Sequence, residues 1–228
     1  MLGFGFKLGK FFKKAVSVIS SISWEANSGV TGGIGSAVSS WVAGNYTLSQ
    51  GTGANQPSHV SAFTTGHGVL FDGSNDFLST SNPLVGTTGS IAIVFRTGTI
   101  GTKQVLVAVT DTGVSNEWFE IGITTEGRIY LEKNSAGTVS RIVGSTFLSA
   151  STSYQLFATY DGVDYYLSLN GVEENPLVVE SIGTLGWFCT VSSGETLSVG
   201  AALPSGSGAR FFTGTLGVVR IWDTDITH

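Results

Sequence analysis

The chain has 228 residues, with 32 glycines, 4 prolines and a single cysteine, and charged residues make up only 12% of it. One cysteine excludes an internal disulfide framework and a Cys-based zinc site, and an apolar fraction of 41% supplies a sizeable core and argues against disorder. The net charge of −5 is uneven: residues 1–22 hold four lysines and no acid, and the remainder holds seven basic and sixteen acidic residues, which argues against nucleic acid as a partner.

The first segment, residues 1–22, differs from everything after it. On a helix, Phe4, Leu8, Phe11, Phe12, Ala15, Ile19 and Ile22 form one apolar stripe, and Lys7, Lys10, Lys13 and Lys14 fall on the other side. Gly3, Gly5 and Gly9 weaken its start, so the helix is expected over Leu8–Ile19. Four lysines oppose a transmembrane span, and a short, serine-rich apolar run without an Ala-x-Ala site fits a signal peptide poorly. Three readings remain: a helix lying on a membrane surface, a docking helix that buries its Phe face in another subunit, and a helix packed on the protein's own body. Docking is favoured, with Phe4, Leu8, Phe11, Phe12 and Ile19 as its apolar face and Lys7, Lys10 and Lys14 beside them.

Residues 23–68 form a Gly/Ser-rich lead-in with a few short strands, expected to pack on the body that follows, residues 69–228. From Ser90 onward apolar runs alternate with polar residues at short spacing. Strands are predicted over 90–96, 104–109, 118–124, 128–133, 138–143, 154–160, 163–169 and 172–174. Asp161-Gly162 and Asn170-Gly171 are strong hairpin signals. About a dozen short strands with turns every 8–12 residues mean a sandwich or barrel. In 218–222, Val218, Arg220 and Trp222 share one face and Val219 and Ile221 the other.

Four ordered motifs sharpen this. The first is the turn Phe71-Asp72-Gly73-Ser74-Asn75-Asp76-Phe77-Leu78, preceded by Trp41 and by Asn55-Gln56-Pro57. The second is 154–171, with Tyr160-Asp161-Gly162 and Leu169-Asn170-Gly171. The third and fourth are Leu197-Ser198-Val199-Gly200 and the closing run 212–222. In this order they resemble a laminin-G-like, concanavalin-A-like lectin/glucanase jelly roll, of the type found in phage and bacterial surface or virion proteins. The resemblance implies an all-β sandwich of two antiparallel sheets, here preceded by the short N-terminal helix.

The sequence offers little catalytic chemistry. A glycosidase needs two carboxylates facing each other across the scissile bond. Glu117 and Glu120 are three apart on one strand, Glu173 and Glu174 are neighbours, and both pairs diverge; Asp223 and Asp225 sit at the end of the chain. No cofactor motif is present. His59, His67 and His228 lack metal-ligand spacing and read as solvent or turn residues. Asp72, Ser74 and Asp76 have the 1, 3, 5 spacing of a calcium loop, but Phe77 stands where an EF-hand needs Gly, so an Asx turn is the favoured use. Glycan binding needs an exposed aromatic platform; Trp118, Tyr130, Tyr165, Tyr166 and Trp187 are the candidates.

The sequence reading is a non-enzymatic virion structural or attachment protein: a capsid decoration, spike or fibre-base protein, present in many copies. Residues 1–22 would dock it to other virion proteins and its jelly roll would bind surface glycan. The alternative is a secreted or cell-surface carbohydrate-binding module, and the third is a glycoside hydrolase.

Overall fold

In a computed structural model, residues 21–63, 66–181, 186–191 and 193–226 are described. Among the described residues seventeen strands follow in chain order: β1 Ser21–Glu25, β2 Ser40–Ala43, β3 Tyr46–Ser49, β4 Ser58–Phe63, β5 Gly66–Asp72, β6 Leu78–Ser81, β7 Gly89–Thr97, β8 Gln104–Thr110 and β9 Glu117–Ile123. They continue with β10 Arg128–Ser135, β11 Thr138–Phe147, β12 Ser153–Tyr160, β13 Tyr165–Leu169, β14 Val172–Glu173, β15 Val178–Ser181, β16 Thr196–Val199 and β17 Thr213–Trp222.

The strands make two antiparallel sheets. One runs β14-β13-β12-β7-β17-β5-β4, with β1 also on β17; the other runs β15-β11-β10-β9-β8-β16-β6-β3-β2. This is the jelly-roll sandwich expected from the sequence. Strand β17 pairs along its length with β7; on its other edge β5 covers Thr213–Leu216 and β1 covers Val218–Trp222. Residues 23–68 thus contribute strands to both sheets, and Trp24 and Trp41 are wholly buried in the shared core. Strand β1 starts at Ser21, inside the segment given to the docking helix; the stripe from Phe4 to Ile19 lies outside the described residues. No helix among the described residues is long and apolar enough to cross a membrane.

Local chemistry explains the turns. Asn170 and Gly171 both have positive φ (51° and 79°), the primed hairpin geometry that Asn-Gly favours, and they join β13 to β14. Ala136 and Gly137 (50° and 88°) make the same kind of turn between β10 and β11. In the turn after β5, Asp72 Oδ1 accepts the N–H groups of Ser74 (2.8 Å) and Asn75 (3.2 Å), and Asp76 Oδ2 accepts that of Asp72 (3.0 Å).

The interior is rich in aromatics. Phe212, just before β17, packs on Phe71 and Phe95 with ring centroids 6.1 and 6.5 Å away. Gly200 has φ +84°, and a β-carbon there would come within 2.3 Å of the Phe71 ring, so only glycine fits. From Gly200 to Phe212 the chain crosses the outer face of β8: Val105 N–H donates to the Arg210 carbonyl (2.8 Å), and Ala202 packs with Val105 and Ala108. Strand β8 is therefore buried on both faces, which accounts for its unbroken apolar run Val105–Val109. Phe212→Ala leaves a cavity between the sheets and is expected to cost about 3–5 kcal/mol, read as a lower urea midpoint at unchanged slope.

Candidate functional site

Alternation along β9 and β10 decides which side chains reach the outer face of the nine-stranded sheet. Phe119, Ile121, Ile123, Ile129 and Leu131 point into the core, so Trp118, Glu120, Gly122, Arg128, Tyr130, Glu132 and Asn134 point outward. The register then aligns Ala108, Glu120, Glu132 and Arg141 in one row across β8, β9, β10 and β11.

Two carboxylates thus stand side by side, and both are almost sealed from water: Glu120 is 0% and Glu132 2% exposed. Cations close over them. Lys103 Nζ bridges the pair, 2.9 Å from Glu120 Oε1 and 2.7 Å from Glu132 Oε1. Arg210 Nε donates to Glu120 Oε2 (3.0 Å), and Arg141 Nε to Glu132 Oε2 (2.6 Å). The ribbon continues through Glu180, which accepts from Arg141 Nη1 and Arg128 Nη2, each at 3.2 Å. Four of the seven basic residues after Ile22 lie in this one ribbon.

Aromatic rings lie beneath the cations. Lys103 Nζ is 4.7 Å and the Arg141 guanidinium 5.6 Å from the Tyr130 ring centre, and Arg210 sits 4.9 Å over Trp118. Tyr130 lies over Gly122, where a β-carbon would strike its ring at 2.8 Å. Its hydroxyl donates to Glu120 Oε1 at 2.8 Å. Burial, and then the Glu120 charge, push the phenol well above its ordinary range, so it stays a donor. Burial also pushes Glu132 up, but the hydrogen bond and charge of Lys103, followed by those of Arg141, outweigh it and hold the carboxyl below its ordinary value.

At the β11 end of the ribbon the surface opens into a cleft of about 390 Å³, lined by Lys103, Thr124, Thr125, Glu126, Arg128, Arg141 and Glu180. Beside it Phe147 lies 5.5 Å from the Arg128 guanidinium and is 66% exposed.

The nominated residues separate. Trp118 and Tyr130 do reach this face, but Tyr130 is fully buried under its cations and offers no open platform. Trp187 is core, packed on Phe119 and Phe188. Tyr165 belongs to the other sheet, stacked on Tyr160 at 4.5 Å with its hydroxyl on the Gly186 carbonyl. Asp72 and Asp76 serve as backbone acceptors in their turn, and Asp76 is buried, which pushes its carboxyl up. No group of three or more His, Cys, Asp and Glu among the described residues could hold a metal ion. His59 is not a solvent residue: it is buried, its Nδ1 3.0 Å from the Gly32 carbonyl and its Nε2 3.2 Å from His67 Nδ1. Sequence reasoning missed the Glu120–Glu132 pair because it sought carboxylates along single strands, and this pair spans two.

No family model and no curated protein sequence matches the chain. Solved structures do match in fold. The CBM40 domain of a Ruminococcus gnavus IT-sialidase, bound to α2,3 sialyllactose, superposes with TM-score 0.53 at 18% identity, over 62% of this chain and 78% of that one. The NanB sialidase of Streptococcus pneumoniae gives 0.56 at 17% identity, over 69% of this chain but only 25% of that one. Domain 4 of AbnA, a GH43 extracellular arabinanase of Geobacillus stearothermophilus in complex with arabinotriose, gives 0.54 at 15% identity, over 79% and 83%. The chain therefore has a lectin-like sandwich fold, and it spans a quarter of the sialidase chain.

Glu132 yields a test of the ribbon. Its lowered carboxyl stabilises the fold above the unfolded value, about pH 4.3, and that contribution is lost as pH falls through the lower, folded value. Glu132→Gln leaves Lys103 with Glu120 alone and Arg141 with the exposed Glu180 alone, and is expected to cost about 1–3 kcal/mol near pH 7. In denaturant titrations the gap from the native protein should narrow below about pH 4.

Proposed function

We propose that this chain is a non-catalytic carbohydrate-binding module of a secreted or surface protein, and that the cleft on the outer face of the nine-stranded sheet receives the sugar. The observation that carries this reading is the cleft itself. It combines a polar lining from Lys103, Arg128, Arg141 and the Thr124–Thr125 turn with the exposed ring of Phe147 at its side. Such a pairing of convergent polar groups with an apolar ring suits a sugar, which presents hydroxyls at its edge and C–H bonds on its face. The fold adds support, since the domains it resembles include one bound to sialyllactose and one in complex with arabinotriose.

A hydrolase reading is weaker. A glycosidase needs one protonated carboxyl acid and access to both carboxyl groups. Glu120 and Glu132 are sealed beneath three cations, and Glu132 is held ionised. They read as structural charges that aim Lys103 and Arg141. A docking role for residues 1–22, in a virion or on another assembly, is supported by the lysine–phenylalanine pattern of that segment alone.

Thr125 tests the cleft without disturbing the ribbon, because it is an exposed turn residue. Thr125→Trp is expected to fill the cleft, lower glycan-array and calorimetric binding at least tenfold, and leave stability within about 0.5 kcal/mol. Full binding by a folded Thr125→Trp protein would place the sugar elsewhere.

A further inference from the structure

The glutamates of the ribbon are held unequally. Glu120 and Glu132 are buried and accept hydrogen bonds of 2.8 Å from Tyr130 and 2.6 Å from Arg141 Nε, whereas Glu180 is 33% exposed and both of its bonds are 3.2 Å long. Its backbone is set apart as well. Strand β15 is the edge of its sheet, and its register with β11 shifts so that Val179 and Ser181 pair with the consecutive residues Ile142 and Arg141. Glu180 is therefore the extra residue of a bulge, a device that aims one side chain out of the ladder.

The arginines it bridges are also unequal. Arg141 spends its Nε on Glu132, but Arg128 makes only long bonds, to Glu180 at 3.2 Å and to the Gly144 carbonyl at 3.5 Å. The Nε–H of Arg128 is buried without an acceptor. Two guanidinium groups 3.2 Å from the two oxygens of one exposed carboxylate, at the wall of an open cleft, make a carboxylate receptor.

We propose that the Arg128–Arg141 pair is the receptor for the carboxylate of an acidic glycan, and that in the free protein Glu180 occupies it as an internal stand-in. Binding is then an exchange: the ligand's carboxylate takes both arginines and Glu180 swings to solvent. The exchange is inexpensive because exposed ion pairs add little net stability. It also gives selectivity, since a neutral sugar gains nothing by displacing Glu180 and an acidic one does. This rests on the carbohydrate-binding reading above.

The test uses the full chain and four probes: sialyllactose and trigalacturonate as acidic sugars, lactose and arabinotriose as neutral ones. In Glu180→Gln the receptor is vacant, so affinity for at least one acidic probe should rise about five- to tenfold, as it does when a competing closed state is removed. Arg128→Gln should lower that affinity at least tenfold, with circular dichroism confirming that both variants fold. Neutral probes should change less than twofold in either variant. Unchanged acidic-sugar affinity in folded Glu180→Gln would overturn the exchange. So would an equal gain for neutral probes, or binding of neutral probes alone; either leaves the carbohydrate reading standing. Failure of all four probes and of a broad glycan array on the native chain would overturn that reading itself, and the exchange with it.

Discussion

Two carboxylates on neighbouring strands cannot both remain ionised out of water unless cations reach them. Glu120 and Glu132 meet that constraint through one ammonium, Lys103, that touches both, and one guanidinium apiece. The outer face of the nine-stranded sheet is arranged around this need. The segment from Gly200 to Phe212 crosses β8 and delivers Arg210; the residues before β8 deliver Lys103; β11 delivers Arg141. A buried ion network of this kind is weak evidence for stability, because desolvation offsets much of its Coulomb energy. Its better-founded role is positional: it fixes cations on a surface where they would otherwise be mobile, and so pre-organises the cleft beside them.

Fold and site were legible in the sequence to different depths, for physical reasons. Strands and tight turns are set by neighbours in the chain, so alternation and dipeptides such as Asn170-Gly171 announce them. The outward position of Glu120 and Glu132 is also a local property of β9 and β10. That the two stand next to each other is not, because it depends on register between strands, which the whole sandwich decides. Glu180 was further out of reach: its aim comes from a bulge in β15, a strand the sequence reading did not identify at all. The aromatic candidates show the converse. Trp187 and Tyr130 look like platforms by residue type, yet Trp187 fills the interior and Tyr130 is roofed on the outer face by Lys103 and Arg141. The ring that does stand open beside the cleft, Phe147, ends β11 in a stretch with no aromatic neighbour to draw attention to it.

The similarity to solved carbohydrate-binding domains fixes architecture and leaves chemistry to the chain's own residues, since one sandwich hosts many uses. What this chain places on that architecture is unusual for so acidic a body. Most of its positive charge after residue 22 is gathered into one strip, each cation is held by a glutamate, and the least secured of those glutamates lies where the cleft opens.

The pairing of Ser21 with Trp222 has a bearing on orientation. Strand β1 belongs to the eight-stranded sheet and lies close to β2, the edge of the other sheet most distant in strand order from β15. The chain therefore enters the sandwich on the layer and the flank opposite the cleft. A copy held at Ser21 itself would turn the cleft, with Arg128 and Arg141, away from the point of attachment.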